Sequence, residues 1–244
     1  MSTLKSFAIA VSGQDVFTSS STQTTDLGAI ASTGDGRYFR YCLVGGTTLV
    51  PGKVQQGPAQ DATNLSPAGG LAVAAAAIGA TQVTLTGSLT LAANLLAGAF
   101  MSVCVTPGQG YTYKVKGNTV VAGAANCVVT LEDPIQVALT TASKVVFVLN
   151  PYNGVVVAPG TLTAAPVGVA VYPVVNAQYG WIQSHGVCGC LLTGTFASAG
   201  LAVGVLVGGT AGSLAPAIAG TNVLGYTTTI GATGEYDNVY LTID

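Results

Sequence analysis

The sequence predicts an all-β protein, made of β-barrel or β-sandwich modules with Gly/Pro-rich turns and an extended N-terminal arm. Three observations predict it. Short runs rich in Val, Thr, Ile and Tyr recur between Gly, Pro, Asn or Asp every ten residues or so, the spacing of sandwiches and barrels. Hydrophobic residues are 50% of the 244-residue chain and aromatics only 7%, so apolar character is spread over small side chains, which suit thin, closely approaching β layers. The best helical candidate, Ala72 to Ala77 between Gly70 and Gly79, is too short to be stable by itself.

The elements follow in chain order. Residues 1–26 read as the arm, carrying the tract Ser19 to Thr25, which is polar enough to be expected to order only against a neighbour. Arg37-Tyr38-Phe39-Arg40-Tyr41-Cys42-Leu43-Val44 reads as a strand entered through Asp35-Gly36, a strong hairpin signal. On it Arg37, Phe39 and Tyr41 share one face while Tyr38, Arg40 and Cys42 share the other. Gly57-Pro58, Asn64, Pro67 and Gly69-Gly70 mark a crossing loop. Strands are expected next at Gln82 to Leu85, Phe100 to Val105, Tyr111 to Lys116, Cys127 to Leu131 and Lys144 to Leu149, with clear alternation in the third. From Pro151 the chain continues in Gly/Val/Thr strands.

Charged residues are 7% of the chain, against roughly 25% in an ordinary soluble domain. All seven basic residues lie at or before Lys144, and beyond it the charges are Glu235, Asp237 and Asp244. Such a surface disfavours DNA and RNA, whose affinity rests on Lys and Arg neutralising phosphates. It fits a permanently assembled subunit, because obligate interfaces are depleted in charge. The mean hydropathy is +0.59, yet a spanning helix needs about 20 consecutive apolar residues, and Leu71 to Ile78 and Leu201 to Val207 stop at Gly79 and Gly208; no membrane is expected. The N-terminus reads without a signal-peptide core, so assembly in a host cytoplasm is expected. Five cysteines at irregular spacing predict reduced, buried thiols.

Few constellations could carry chemistry. His185, Cys188 and Cys190 offer three zinc ligands, but a fourth has no local candidate and two cysteines two apart on a strand stand about 7 Å apart, so no metal is expected. His185 is the single histidine and no Gly-x-Ser-x-Gly turn occurs. Glu132 and Asp133 are adjacent, so on a strand they point to opposite faces instead of flanking one bond. Neither catalysis nor a cofactor is expected. Arg37, Tyr38, Phe39, Arg40 and Tyr41 mix guanidinium groups with aromatics; lacking a wider basic patch, they read as a protein interface instead of a nucleic-acid stacking platform. Trp181, the single tryptophan, is a core anchor or a subunit contact, and joins these five as an interface candidate. Tyr236, Asp237, Asn238 and Tyr240 form the cluster best suited to a carbohydrate.

The run Asp35 to Tyr41, with Gly45-Gly46 and Pro51-Gly52, resembles the N-terminal part of tailed-bacteriophage structural proteins, including head (capsid) decoration proteins. Gly110 to Asn118, Leu131 to Ile135 and Asn150 to Val156 are similar to further segments of them, and Tyr179 to Gly186 looks like their C-terminal β-barrel. The resemblance spans nearly the whole chain after residue 25 and brings no active site. It implies a β-barrel domain from residues 27–62 plus 151–244, with 63–150 as an inserted β domain. It also implies a virion protein on the head surface, a cement that binds the major capsid protein as a homo-oligomer, most simply a trimer. A tail, collar or fibre component and a carbohydrate-binding host-adhesion module are the readings that stay open beside it.

Overall fold

The computed structural model describes residues 9–11, 15–123 and 125–244; residues 1–8 and 12–14 of the expected arm lie outside them. Among the described residues the regular structure is β, apart from one 3-10 turn at Asp15–Phe17. The chain divides into two units, Met1–Pro58 with Pro151–Asp244, and Ala59–Asn150. Within the first unit a Cβ at Gly57 would lie 2.8 Å from the Pro151 carbonyl oxygen. The chain therefore leaves and re-enters this unit at neighbouring points, which is how an insertion is accommodated without disturbing its host.

The unit Ala59–Asn150 is a closed six-stranded barrel. Its ring runs Thr112–Asn118, Cys127–Leu131, Gln82–Thr86, Leu71–Val73, Lys144–Val148 and Phe100–Val105, antiparallel throughout. Period-two patterning explains the closure. Tyr113 and Val115, Val129 and Leu131, Val83 and Leu85, Val145 and Phe147, and Met101 and Val103 form one buried core, with half-buried or exposed residues between them. The Ala72 to Ala77 run joins as the strand Leu71–Val73 and a bridge from Ala76 to Leu139. Asn118, 6% exposed, brings a polar side chain to the core edge. Its Oδ1 accepts the Leu96 N–H at 2.9 Å and its Nδ2 donates to the Ala92 carbonyl at 2.9 Å, tying that turn onto the barrel.

The other unit is one mixed sheet of twelve strands that closes on itself. Tyr38–Val44 pairs parallel with Asn153–Val157, which pairs with Val54–Gln56, then Pro166–Ala170, then Tyr179–Leu191, which returns to Tyr38–Val44. Cys42, Val44, Val155, Val167 and Ile182 fill this ring. From Tyr179–Leu191 the sheet runs on through Tyr236–Thr242, Gly225–Thr227 and Ala202–Gly204 to Ala215–Pro216, over a second core that includes Cys188, Cys190, Phe196, Val239 and Leu241. A third cluster joins Phe39, Tyr41 and Trp181 to Val16 and Ala31. The Asp35-Gly36 signal corresponds to a hairpin, Ile30–Ser32 against Tyr38–Val44, with Gly36 at φ 90°.

The Ser/Thr tract departs from expectation. Ser19–Ser20 pairs with Tyr179 and Gly180, the Ser19 hydroxyl donates to Gln178 Oε1 at 2.8 Å, and the Thr24 N–H reaches the Tyr41 hydroxyl at 3.0 Å. Instead of waiting for a neighbour, the tract is docked on its own chain, because Val16 before it and Ala31 after it are buried against the Phe39–Tyr41–Trp181 cluster.

Two outcomes are expected. Asn118→Ala should lower the unfolding free energy by about 1–3 kcal/mol, since the buried Leu96 N–H loses its partner, as read by urea titration. Removing residues 1–25 should uncover the Trp181 ring, 8% exposed in the intact chain, and so raise its quenching by acrylamide and shift its emission to the red.

Candidate functional surface at a strand crossing

The strand Tyr179–Leu191, thirteen residues long, changes partner along its length. It pairs with Tyr38–Val44 as far as His185 and with Tyr236–Thr242 from His185 onward. The change is made at a bulge: Gln183 faces Phe39, and the next pair brings His185, not Ser184, opposite Tyr38. Gly186 follows at φ 85°, and a Cβ there would lie 2.8 Å from the Gly36 carbonyl oxygen, so both backbone conformation and space demand glycine. The buried Gln183 donates its Nε2 to the carbonyls of His185 and Val187, each at 2.9 Å, holding the chain on both sides of that glycine.

Beyond the bulge, alternation sorts the side chains. Cys188 and Cys190 turn into the core at 5% and 0% exposure, while Val187 is 48% exposed. The His-x-x-Cys-x-Cys pattern is therefore split, since residues three apart on a strand face opposite ways. Among the described residues no group of three or more His, Cys, Asp or Glu could hold a metal ion. Hydrogen bonding with Cys188 and burial push the Cys190 thiol well up, and burial pushes Cys42 up to about 12. Both stay protonated at neutral pH, as structural thiols do.

On the outer side the His185 ring lies edge-to-face with Tyr38, 5.6 Å between centroids, and with Tyr240, 5.3 Å. Its Nε2 is 3.1 Å from the Tyr240 hydroxyl and its Nδ1 3.1 Å from the Asp244 carbonyl oxygen. The Asp244 carboxylate accepts Arg40 Nε at 2.7 Å and Nη2 at 2.9 Å, a two-pronged pairing. Arg40 Nη1 donates to the Gly28 carbonyl, and the guanidinium stands 5.7 Å from the Tyr152 ring centroid. Burial pushes the Asp244 carboxyl up, but hydrogen bonds from Arg40 and Ser184, with the charges of Arg40 and His185, outweigh it and hold the group below the ordinary carboxylate range. Val187 lies opposite Tyr240, and Tyr240 opposite Tyr226. These three and Tyr38 are 40–48% exposed, a bare row across neighbouring strands.

The interface candidates fall into two groups. Phe39, Tyr41 and Trp181, at 0%, 2% and 8% exposure, are core residues and not surface: Tyr41 stacks on Tyr179 and meets Trp181 edge-on at 5.0 Å, beneath Val16 and Ala31. Arg37 and Arg40 are engaged with Asp35 and Asp244 at 2.8 and 2.7 Å, and Tyr38 is exposed. In the carbohydrate candidate, Tyr236, Asn238 and Tyr240 are exposed on one face, whereas Asp237 bonds Thr229 and the Asn238 N–H. The sequence reading missed Asp244, Val187 and Tyr226. Asp244 lies 204 residues from Arg40 and 59 from His185, and the one local signal was the alternation of Val187 and Tyr240 with their buried neighbours.

Comparison with protein-family models, curated proteins and solved structures finds no match.

Because Asp244 titrates lower in the folded chain than in the unfolded one, its stabilising contribution is complete above about pH 4 and is lost as the pH falls through the folded value. Asp244→Asn should lower the melting temperature most near neutral pH, and the gap to wild type should shrink as the pH falls below the ordinary carboxylate range; thermal melts across pH measure it.

Proposed function

We propose that this chain is a non-enzymatic structural subunit of a permanent assembly, and that the assembly is the outer shell of a tailed-phage head. There it cements copies of the major capsid protein as a homo-oligomer, most simply a trimer. One observation carries the assembled state. In residues 151–244 nine large hydrophobic side chains are exposed, among them Val207 at 77%, Ile230 at 68% and Ile218 at 62%, while that stretch has three charged residues. Exposed apolar side chains in a stretch so poor in charge suit a surface that meets other subunits, where charge is depleted.

The acidic groups support a structural role. Asp35 is bonded by Arg37 and Thr33 and Asp61 by Asn64 and Thr63, each within its own turn, while Asp244 is bonded by Arg40 and Glu132 pairs with Lys114 across the fold. The head location rests on the resemblance carried by Asp35 to Tyr41, Gly110 to Asn118 and Tyr179 to Gly186. Binding only to the assembled shell would stabilise it by mass action.

Light scattering on the purified chain should give an oligomer that persists at about 1 M salt, where charge interactions are screened within about 3 Å. Added to undecorated heads of the phage that encodes it, the chain should saturate the surface and raise the temperature at which the heads rupture. A monomer that the heads do not take up overturns the reading.

A further inference from the structure

The turn between Ser32 and Tyr38 folds back on the bulged strand. It can approach that closely because Gly186 has no Cβ: one placed there would lie 2.8 Å from the Gly36 carbonyl oxygen and 3.2 Å from the Arg37 Cα. Beside this contact is a hollow of about 370 Å³ lined by Asp35, Gly36, Arg37, Gly186, Val187 and Tyr240, a size within the roughly 300–1,000 Å³ of small-ligand sites. We propose that this hollow binds a neutral saccharide, with the Tyr240 ring as the stacking face and Arg37 as the hydrogen-bond donor.

Three features select that ligand class. First, the charges at the wall cancel. Asp35 Oδ1 accepts the Thr33 hydroxyl at 2.6 Å and the Arg37 N–H at 3.1 Å, and its Oδ2 accepts Arg37 Nε at 2.9 Å and Nη2 at 2.8 Å. The carboxylate's lone pairs are filled, while Arg37 Nη1 makes no hydrogen bond among the described residues and offers its donors to a ligand. An anion at this wall would meet Asp35, and a cation would meet Arg37; an uncharged ligand rich in hydroxyl groups meets neither penalty. Second, Tyr240 is 41% exposed yet fixed, its hydroxyl 3.1 Å from His185 Nε2 and its ring at 78° to the imidazole. An aromatic face immobilised before binding loses little entropy when a ligand covers it. Third, Val187, directly opposite Tyr240, extends the apolar floor. A pyranose presents C–H groups on its face and hydroxyl groups on its rim, the combination this floor and wall complement.

This inference does not rest on the particle reading, and its test needs no capsid. Saturation-transfer NMR and calorimetry are run on the purified full chain with maltotetraose, cellotetraose, chitotetraose and mannotetraose, and with sialyllactose and trigalacturonate as acidic probes. At least one neutral probe should bind, with transfer strongest to ring C–H protons, and both Tyr240→Ala and Arg37→Gln should weaken it by about tenfold or more. Tyr226→Ala, outside the hollow on the same face, should leave the affinity unchanged. Circular dichroism identifies any variant that does not fold, and the remaining one then decides. Failure of every neutral probe to bind, preference for the acidic probes, or binding untouched by the folded Tyr240 and Arg37 variants overturns the proposal.

Discussion

The larger unit depends on one side-chain amide. Tyr179–Leu191 is shared between two parts of the sheet, pairing first with Tyr38–Val44 and then with Tyr236–Thr242, and such an exchange needs an irregular residue where the ladders meet. Gln183 makes the irregularity stable. At 1% exposure it bonds the carbonyls of His185 and Val187 from inside the protein; each of these groups, if buried without a partner, would cost about 1–3 kcal/mol. Because a strand's faces alternate, a slip of one residue at this point would send Cys188 and Cys190 to water and Val187 into the core. The bulge thus fixes both the closure of the ring around Ile182 and the identity of the exposed face.

The two sides of the sheet are finished unevenly, and the unevenness is where function is to be sought. Over Phe39, Tyr41 and Trp181, on the side of the strand opposite Tyr38, the sheet is covered by the chain's own segment, through Val16, Ala31 and the Thr24 hydrogen bond to Tyr41. A few residues away, Tyr38, Val187, Tyr240 and Tyr226 carry no such cover. The polar groups nearby are engaged with one another: Arg40 with Asp244, His185 with Tyr240, Asp35 with Arg37. What meets solvent is therefore apolar and aromatic surface held rigidly from behind, which suits recognition of another surface or a ligand more than proton transfer.

Some of this was legible in the sequence. The five strands expected between Gln82 and Leu149 lie where alternation put them, with ends shifted by a residue or two, because a barrel buries alternate side chains and so writes its period into the chain. Asp35-Gly36 marked a hairpin for the equally local reason that glycine adopts a positive φ at no steric cost. The face assignment of Arg37 to Tyr41 was right about which residues share a side and silent about which side is covered, since the cover comes from Val16 and Ala31. The separation of His185 from Cys188 could have been read from their odd spacing. Ser19 to Thr25 looked like a free arm because its composition is polar; what orders it is pairing with Tyr179 and Gly180, about 160 residues away, and no local pattern encodes that.

Gly186 joins the fold to the candidate site more tightly than any other position. Its φ of 85° disfavours every side chain, and its closeness to Gly36 leaves none of them room. The contact that seats the Asp35 turn is therefore also the contact that shapes the hollow beside Tyr240. A substitution there cannot enlarge the hollow alone: it pushes the turn outward, loosens the setting of the Asp35–Arg37 pair, and strains the bulge that Gln183 holds. Removing the Tyr240 hydroxyl acts differently, since it frees the ring from His185 while leaving the backbone of the crossing in place. The first change couples any ligand effect to stability and the second does not, so the two together separate what this surface contributes to folding from what it contributes to recognition.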